Sequence, residues 1–167
     1  MEVVQAQVSC KLLKKIPRVK YSITYFFIRF TTCILDFRSF LQQLTETVVP
    51  HATVFGFMDF DPYSICIFKG IKYGFKTQAF RLTFTKCLKM NCLGVDSSDL
   101  DSLKKYLMPM DTKCIAKAEN LLKEGHLDDY MKKNLQVVIE RKERVDFECV
   151  PHLSSYVRDK ISSWCQT

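Results

Sequence analysis

Ala52-Thr53-Val54-Phe55-Gly56-Phe57-Met58-Asp59-Phe60-Asp61-Pro62-Tyr63 is the stretch on which the fold turns. Residues 52–58 read as a strand buried on both faces, the pattern of a parallel sheet. Two carboxylates follow at its carboxyl edge, where open α/β sheets place their ligands. Residues i and i+2 of an extended segment project to one side, so Asp59 and Asp61 are able to share a hard cation. Magnesium suits such a pair, since it takes few carboxylates and keeps waters for substrate phosphates. A solvated turn is the plainer alternative, because Asp-Pro starts turns.

Upstream, Tyr21 to Leu35 is rich in β-branched and aromatic residues and reads as a buried strand. Arg29 interrupts it, and it is shorter than the roughly 20 apolar residues a membrane helix needs. Asp36 or Ser39 is suited to cap a helix carrying Phe40, Leu41, Leu44 and Val48, which Pro50 stops. Strand, helix and second apolar strand make a βαβ pattern, and the class is α/β. Downstream, Ser64 to Phe68 opens a helix and Phe80 to Phe84 alternates like a strand. The apolar spacing predicts a helix from about Thr112 to Lys123, ended by Gly125, with Ile115, Ala118, Leu121 and Leu122 on one face. A longer helix is predicted over Tyr130 to about Val145, with Met131, Leu135, Val138 and Val145 inward.

Composition and charge narrow the function classes. The chain has 167 residues, 47% of them hydrophobic, which suits one domain with a real core. Five Gly and five Pro exclude collagen-like and low-complexity classes. A net charge of +7 favours an acidic partner such as nucleic acid. The eight cysteines are scattered without a C-x-x-C pair, which speaks against a structural zinc site and for reduced thiols in an intracellular protein. His51, His126 and His152 form no ligand spacing, and neither G-x-S-x-G nor a phosphate-cradling glycine loop is present.

From Pro62 to Val95 there is no Asp or Glu, while Lys69, Lys72, Lys76, Arg81, Lys86 and Lys89 all fall there. An acidic metal site bordered by an all-basic segment suits phosphodiester chemistry, in which a cation neutralises one phosphate and side chains hold its neighbours. A solvated basic face is the alternative. Phe75, Phe80 and Phe84 read as core before base-stacking platforms.

Several motifs in order then carry a resemblance. Asp59-Phe60-Asp61-Pro62-Tyr63-Ser64 resembles the V-D-x-D-P-Y-G signature of one toprim family, with Ser64 in place of its last glycine. Lys72-Tyr73-Gly74 is similar to its K-Y-G segment. Leu93-Gly94 with Ser98-Asp99-Leu100 resembles W-L-G-L-x-P-S-D-L, and Leu107-Met108-Pro109-Met110 resembles L-I-P-L. The run from Arg144 to Val150, and Leu153 to Tyr156 after it, resembles the family's carboxyl end. The family comprises the A-type chain of DNA topoisomerase VI and its meiotic double-strand-break relative (Spo-eleven).

This resemblance implies a toprim-like, Rossmann-like and mostly parallel sheet flanked by helices. Residues 1–30 are then a partial, divergent start of the domain. Residues 31–167 are the toprim domain with a helical carboxyl extension. It implies Mg2+ on Asp59 and Asp61, with Glu2 (or the neutral Gln5) as the rough match for a third ligand on the family's first strand. The charge pattern adds Lys69, Lys72, Lys76 and Arg81 as candidate DNA contacts. Partners implied are DNA, a second A-type chain and a topoisomerase VI B-like subunit, with no membrane, in the nucleus on chromosomes. The family's catalytic tyrosine belongs to a winged-helix domain upstream. None of the 7 tyrosines here matches it, so the chain is expected to be inactive alone. Tyr63 is expected to pack at the sheet edge. Three functions stay open: the toprim part of a transesterase that makes meiotic double-strand breaks, a non-catalytic DNA-binding or dimerisation module or short isoform, and an independent metal-dependent phosphodiesterase.

Overall fold

A computed structural model of the chain describes Arg38, residues 41–43, Glu46, residues 53–74 and residues 90–166. The contacts gather into two units, Met1–Gly56 with Ile71–Asn91, and Phe57–Gly70 with Cys92–Thr167. The expected strand over Tyr21 to Leu35, the alternation over Phe80 to Phe84 and residues 1–30 lie outside the described residues.

Strand β1 (Val54–Met58) starts two residues later than the sequence reading places it. Val54, Phe55 and Met58 are buried, whereas Gly56 and Phe57 are half-buried, so the strand is not sealed on both faces along its length. Helix α1 (Pro62–Tyr73) follows after three residues, beginning before the expected Ser64. Asp61 explains the earlier start: its carboxylate accepts the amides of Tyr63 and Ser64 at 2.6 and 3.1 Å, and Pro62 fits the first helical turn without losing a bond. Ile65, Phe68 and Ile71 recur at threefold spacing along α1 and are all buried. Strand β2 (Met90–Gly94) lies parallel to β1. Helices flank this α/β sheet, as a toprim-like fold requires.

Within the first unit, Arg38 is 1% exposed and its Nε donates to the Ile71 carbonyl at 2.8 Å. Leu41, the described member of the expected helix face, is also buried.

The second unit holds the better-described core. A short antiparallel pair, β3 (Met108–Pro109) with β4 (Glu143–Arg144), brackets two packed helices. Helix α2 (Thr112–Glu124) is capped by Asp111, which accepts the Cys114 amide at 2.7 Å, and ends at Gly125 with φ 71°. Ala118 and Leu121 face inward, while Ile115 and Leu122 are only half-buried. Helix α3 (Asp129–Arg141) is capped by Asp128 and buries Met131, Leu135 and Val138. It stops short of the expected Val145, because Lys142 turns into the left-handed region at φ 55°. Val145 is still buried, but by pairing with Phe60 in an isolated antiparallel bridge. Helix α4 (Leu153–Trp164) closes the chain with Val157 and Ile161 buried.

One backbone contact fixes how the ends of β1 and β2 meet. A Cβ added to Gly94 would press into the Met58 carbonyl oxygen and lie 2.7 Å from the Met58 nitrogen, and the residue sits at φ +140°. Only glycine admits both that approach and that dihedral. The Val95 amide then donates to the same Met58 oxygen at 3.3 Å. No helix among the described residues is long and apolar enough to cross a membrane.

Candidate metal centre

The acidic pair lies where β1 gives way to α1. Phe60 between the two carboxylates is 1% exposed and exchanges backbone bonds with Val145 at 2.9 and 3.3 Å. Anchoring Phe60 inward leaves its neighbours Asp59 and Asp61 on the opposite side of the extended segment.

Each carboxylate is oriented by one oxygen and leaves the other for the centre. Asp59 Oδ1 accepts the Phe147 amide at 2.7 Å, and Asp61 Oδ1 accepts the two amides at the start of α1. The remaining oxygens converge on one hydroxyl: Ser64 Oγ lies 3.1 Å from Asp59 Oδ2 and 2.6 Å from Asp61 Oδ2. A hydroxyl carries one proton, so it satisfies one of these oxygens at a time. Asp61 is 8% exposed and Asp59 half-buried, so little water screens the pair. Burial pushes the Asp59 carboxyl above its ordinary value, against the Phe147 and Ser64 hydrogen bonds. The charges of Asp61 and Asp146 push it the same way. Two hard, pre-oriented oxygens under mutual repulsion are what a small divalent cation stabilises, so these residues fit magnesium.

A third His, Cys, Asp or Glu does not complete the group among the described residues, and Glu2 lies outside them. The basic candidates divide. Lys69 sits in α1 with its side chain 11% exposed, and its Nζ is 2.6 Å from Glu124 Oε2 on α2. Lys72, in the last turn of α1, holds its ammonium 5.3 Å from the Tyr73 ring centre. Lys76 and Arg81 lie outside the described residues. Tyr63, expected to pack at the sheet edge, is instead 48% exposed on the first turn of α1. Cys66, Cys92, Cys114, Cys149 and Cys165 are in no disulfide, and the Cys92 thiol lies 3.5 Å from the Met58 sulfur.

A second acidic cluster, which sequence reading misses, lies just past β2. Lys160 Nζ on α4 lies 2.6 Å from Asp96 Oδ2 and 2.8 Å from Asp99 Oδ2. The Tyr156 hydroxyl is 2.7 Å from both Asp99 Oδ2 and the Gly94 carbonyl oxygen. Burial alone would raise the Asp96 carboxyl, but hydrogen bonds from Lys160 and Ser98 hold it below its ordinary value. Burial and then the Asp99 bond push the Tyr156 phenol well up, so it stays protonated. The sequence signal is the Leu93-Gly94 and Ser98-Asp99-Leu100 pattern, whose partners lie some sixty residues on. Nearby, the buried Tyr130 hydroxyl and Asn134 Nδ2 complete no hydrogen bond among the described residues, although the Asn134 amide is near enough to temper the phenol's upward shift.

An α/β sheet edge with a D-x-D pair at the start of the following helix is consistent with a toprim-like domain. Residues 34–161 match the family described as the Toprim domain of the Topoisomerase 6 A-type chain and Spo11, and the chain belongs to that family. No curated protein matches the chain.

Proposed function

We propose that this chain is the DNA-binding, magnesium-holding toprim part of a type IIB topoisomerase-like transesterase that makes meiotic double-strand breaks. The convergence of Asp59 Oδ2 and Asp61 Oδ2 on one point carries the reading. The family is concerned with DNA topology, and the +7 net charge suits a polyanionic substrate. When bound, the cation supplies charge neutralisation beside a DNA phosphate. The chain's own residues do the positioning. The Phe147 amide orients Asp59, the start of α1 orients Asp61, and burial keeps both carboxylates poorly screened. Lys72, Lys76 and Arg81 hold flanking phosphates, with Lys69 the smallest contributor because Glu124 already neutralises it. The attacking tyrosine comes from a winged-helix domain that these residues do not supply, and the linkage made is to a 5′ phosphate. The chain works as a homodimer of A-type chains with a B-like subunit, on chromosomes in the nucleus.

Thermal unfolding with and without magnesium or manganese tests the centre. A ligand that binds only the native state stabilises it by about 2.7 kcal/mol at a hundred times its Kd. The natural chain should show that gain and the Asp59→Asn, Asp61→Asn double variant should not, while the asparagine carbonyl introduced by the second change still caps α1. An equal gain in both would remove the metal centre from the proposal. Purified chain with supercoiled DNA and magnesium should form no protein–DNA ester, and an adduct on any tyrosine here would overturn the division of labour.

A further inference from the structure

Two carboxylates leave a six-coordinate cation short of protein oxygens. Ser64 Oγ lies within hydrogen-bond distance of both, and its placement is unusual for a residue in the first turn of a helix. A serine there commonly turns its hydroxyl back to the backbone. In this chain Asp61 already caps the turn, accepting the Ser64 amide at 3.1 Å, so the hydroxyl is released from that task. Its contacts are instead the two carboxylate oxygens left over after the backbone has been served, at 3.1 and 2.6 Å.

We propose that Ser64 is the third protein ligand of this centre, its Oγ joining Asp59 Oδ2 and Asp61 Oδ2 on a divalent cation of the magnesium or manganese class. The inference rests on the reading of Asp59 and Asp61 as ligands. Three features support it. Adjacent oxygens on an octahedral magnesium, bonded at 2.0–2.1 Å, stand about 2.9 Å apart. The two Ser64 distances bracket that spacing. A neutral hydroxyl adds no charge, so two carboxylates and a dication balance. Helix α1 fixes the Ser64 backbone, which makes the oxygen pre-positioned and cheap to recruit. Serine and threonine hydroxyls bind magnesium at helix starts in phosphate-binding loops by the same chemistry.

The test titrates Mn2+ and Cd2+ into the full chain, with helical circular dichroism confirming that each variant is folded. Ser64→Ala should weaken Mn2+ binding by at least about tenfold, the lower bound for groups that merely support a ligand. Ser64→Thr keeps the hydroxyl and should retain the affinity, which guards against a folding artefact. Ser64→Cys should shift preference from Mn2+ to Cd2+ and add a thiolate-to-cadmium ultraviolet band. That band is read as a difference from Ser64→Ala, because the chain has 8 other thiols. Ser64→Ala binding Mn2+ as tightly as the natural chain, or more tightly, overturns the ligand role: the hydroxyl would then only fill the cation's seat. If Asp59→Asn, Asp61→Asn abolishes binding while Ser64→Ala leaves it intact, only the serine assignment falls. If the double Asn variant still binds, both readings fall.

Discussion

Two acidic clusters sit just past the ends of the paired strands, and they differ in how their charge is met. Asp96 and Asp99, past β2, share the Lys160 ammonium, and Asp99 also accepts the Tyr156 hydroxyl. Asp59 and Asp61, past β1, share one serine hydroxyl and form no ion pair among the described residues. The same residue type in similar burial is therefore shifted in opposite directions, Asp96 below its ordinary value and Asp59 above it. A lysine built into the fold makes the first cluster a fastening between the β2 end and α4. The second cluster retains its repulsion in the folded chain, and under the proposed function a cation from solution would relieve it.

The sharpest way to break this contrast is at Gly94, which holds the two strand ends together. Gly94→Ala forces a Cβ against the Met58 backbone, and backbone cannot swing aside as a side chain does. A loss of roughly 4 kcal/mol is expected in urea unfolding, with both clusters disturbed together. Next comes Lys160→Met, which strands two carboxylates whose side chains are 20% and 16% exposed. Removing one partner of a largely buried ion pair costs about 3 kcal/mol. Thermal unfolding should report that loss, with metal affinity at Asp59 and Asp61 unchanged.

Acid titration separates the clusters by sign. Asp96 is held below its ordinary 3.8, so its contribution is complete above that pH and is lost as pH falls through the lower, folded-state value. Asp59 is raised, so its folded form costs stability once pH exceeds its folded-state value, and the cost is relieved as pH falls toward 3.8. Stability curves should accordingly lose their steep acid limb in Lys160→Met. In Asp59→Asn they should lose the decline on the less acid side. The smallest effect concerns DNA. Removing Lys72 should lower the slope of log affinity against log salt by roughly 0.9, and Lys69→Met should lower it less. Equal slopes for the natural chain and Lys72→Ala would return the basic stretch to a solvated face.

The parts of this picture legible in the sequence are those with short-range causes. The D-x-D pair, the helix begun near Thr112 and ended by Gly125, and the buried Met131, Leu135 and Val138 all follow from spacing within a few residues. The end of α3 escapes such a reading because Val145 keeps the helical period, and nothing local announces that Lys142 turns left-handed. The start of α1 escapes it because Asp61 reads as a ligand or a turn residue, while the structure also uses it as a cap. Lys160 and Tyr156 are invisible as partners of Asp96 and Asp99, since that pairing spans 57–64 residues. Ser64 shows only as a departure from a pattern. Its place between two carboxylates is a property of the turn in three dimensions.

The bond from the Phe147 amide to Asp59 Oδ1 spans 88 residues of chain. Loop closure over that distance is entropically costly and must be met before the contact gives anything back. The orientation of Asp59 thus depends on a contact that only a chain extending through Phe147 can make. A growing chain on the ribosome reaches Asp61 long before it has made Phe147. A cation held as proposed would then be expected to bind well only once that contact is made, so its uptake would report that the carboxyl half has arrived.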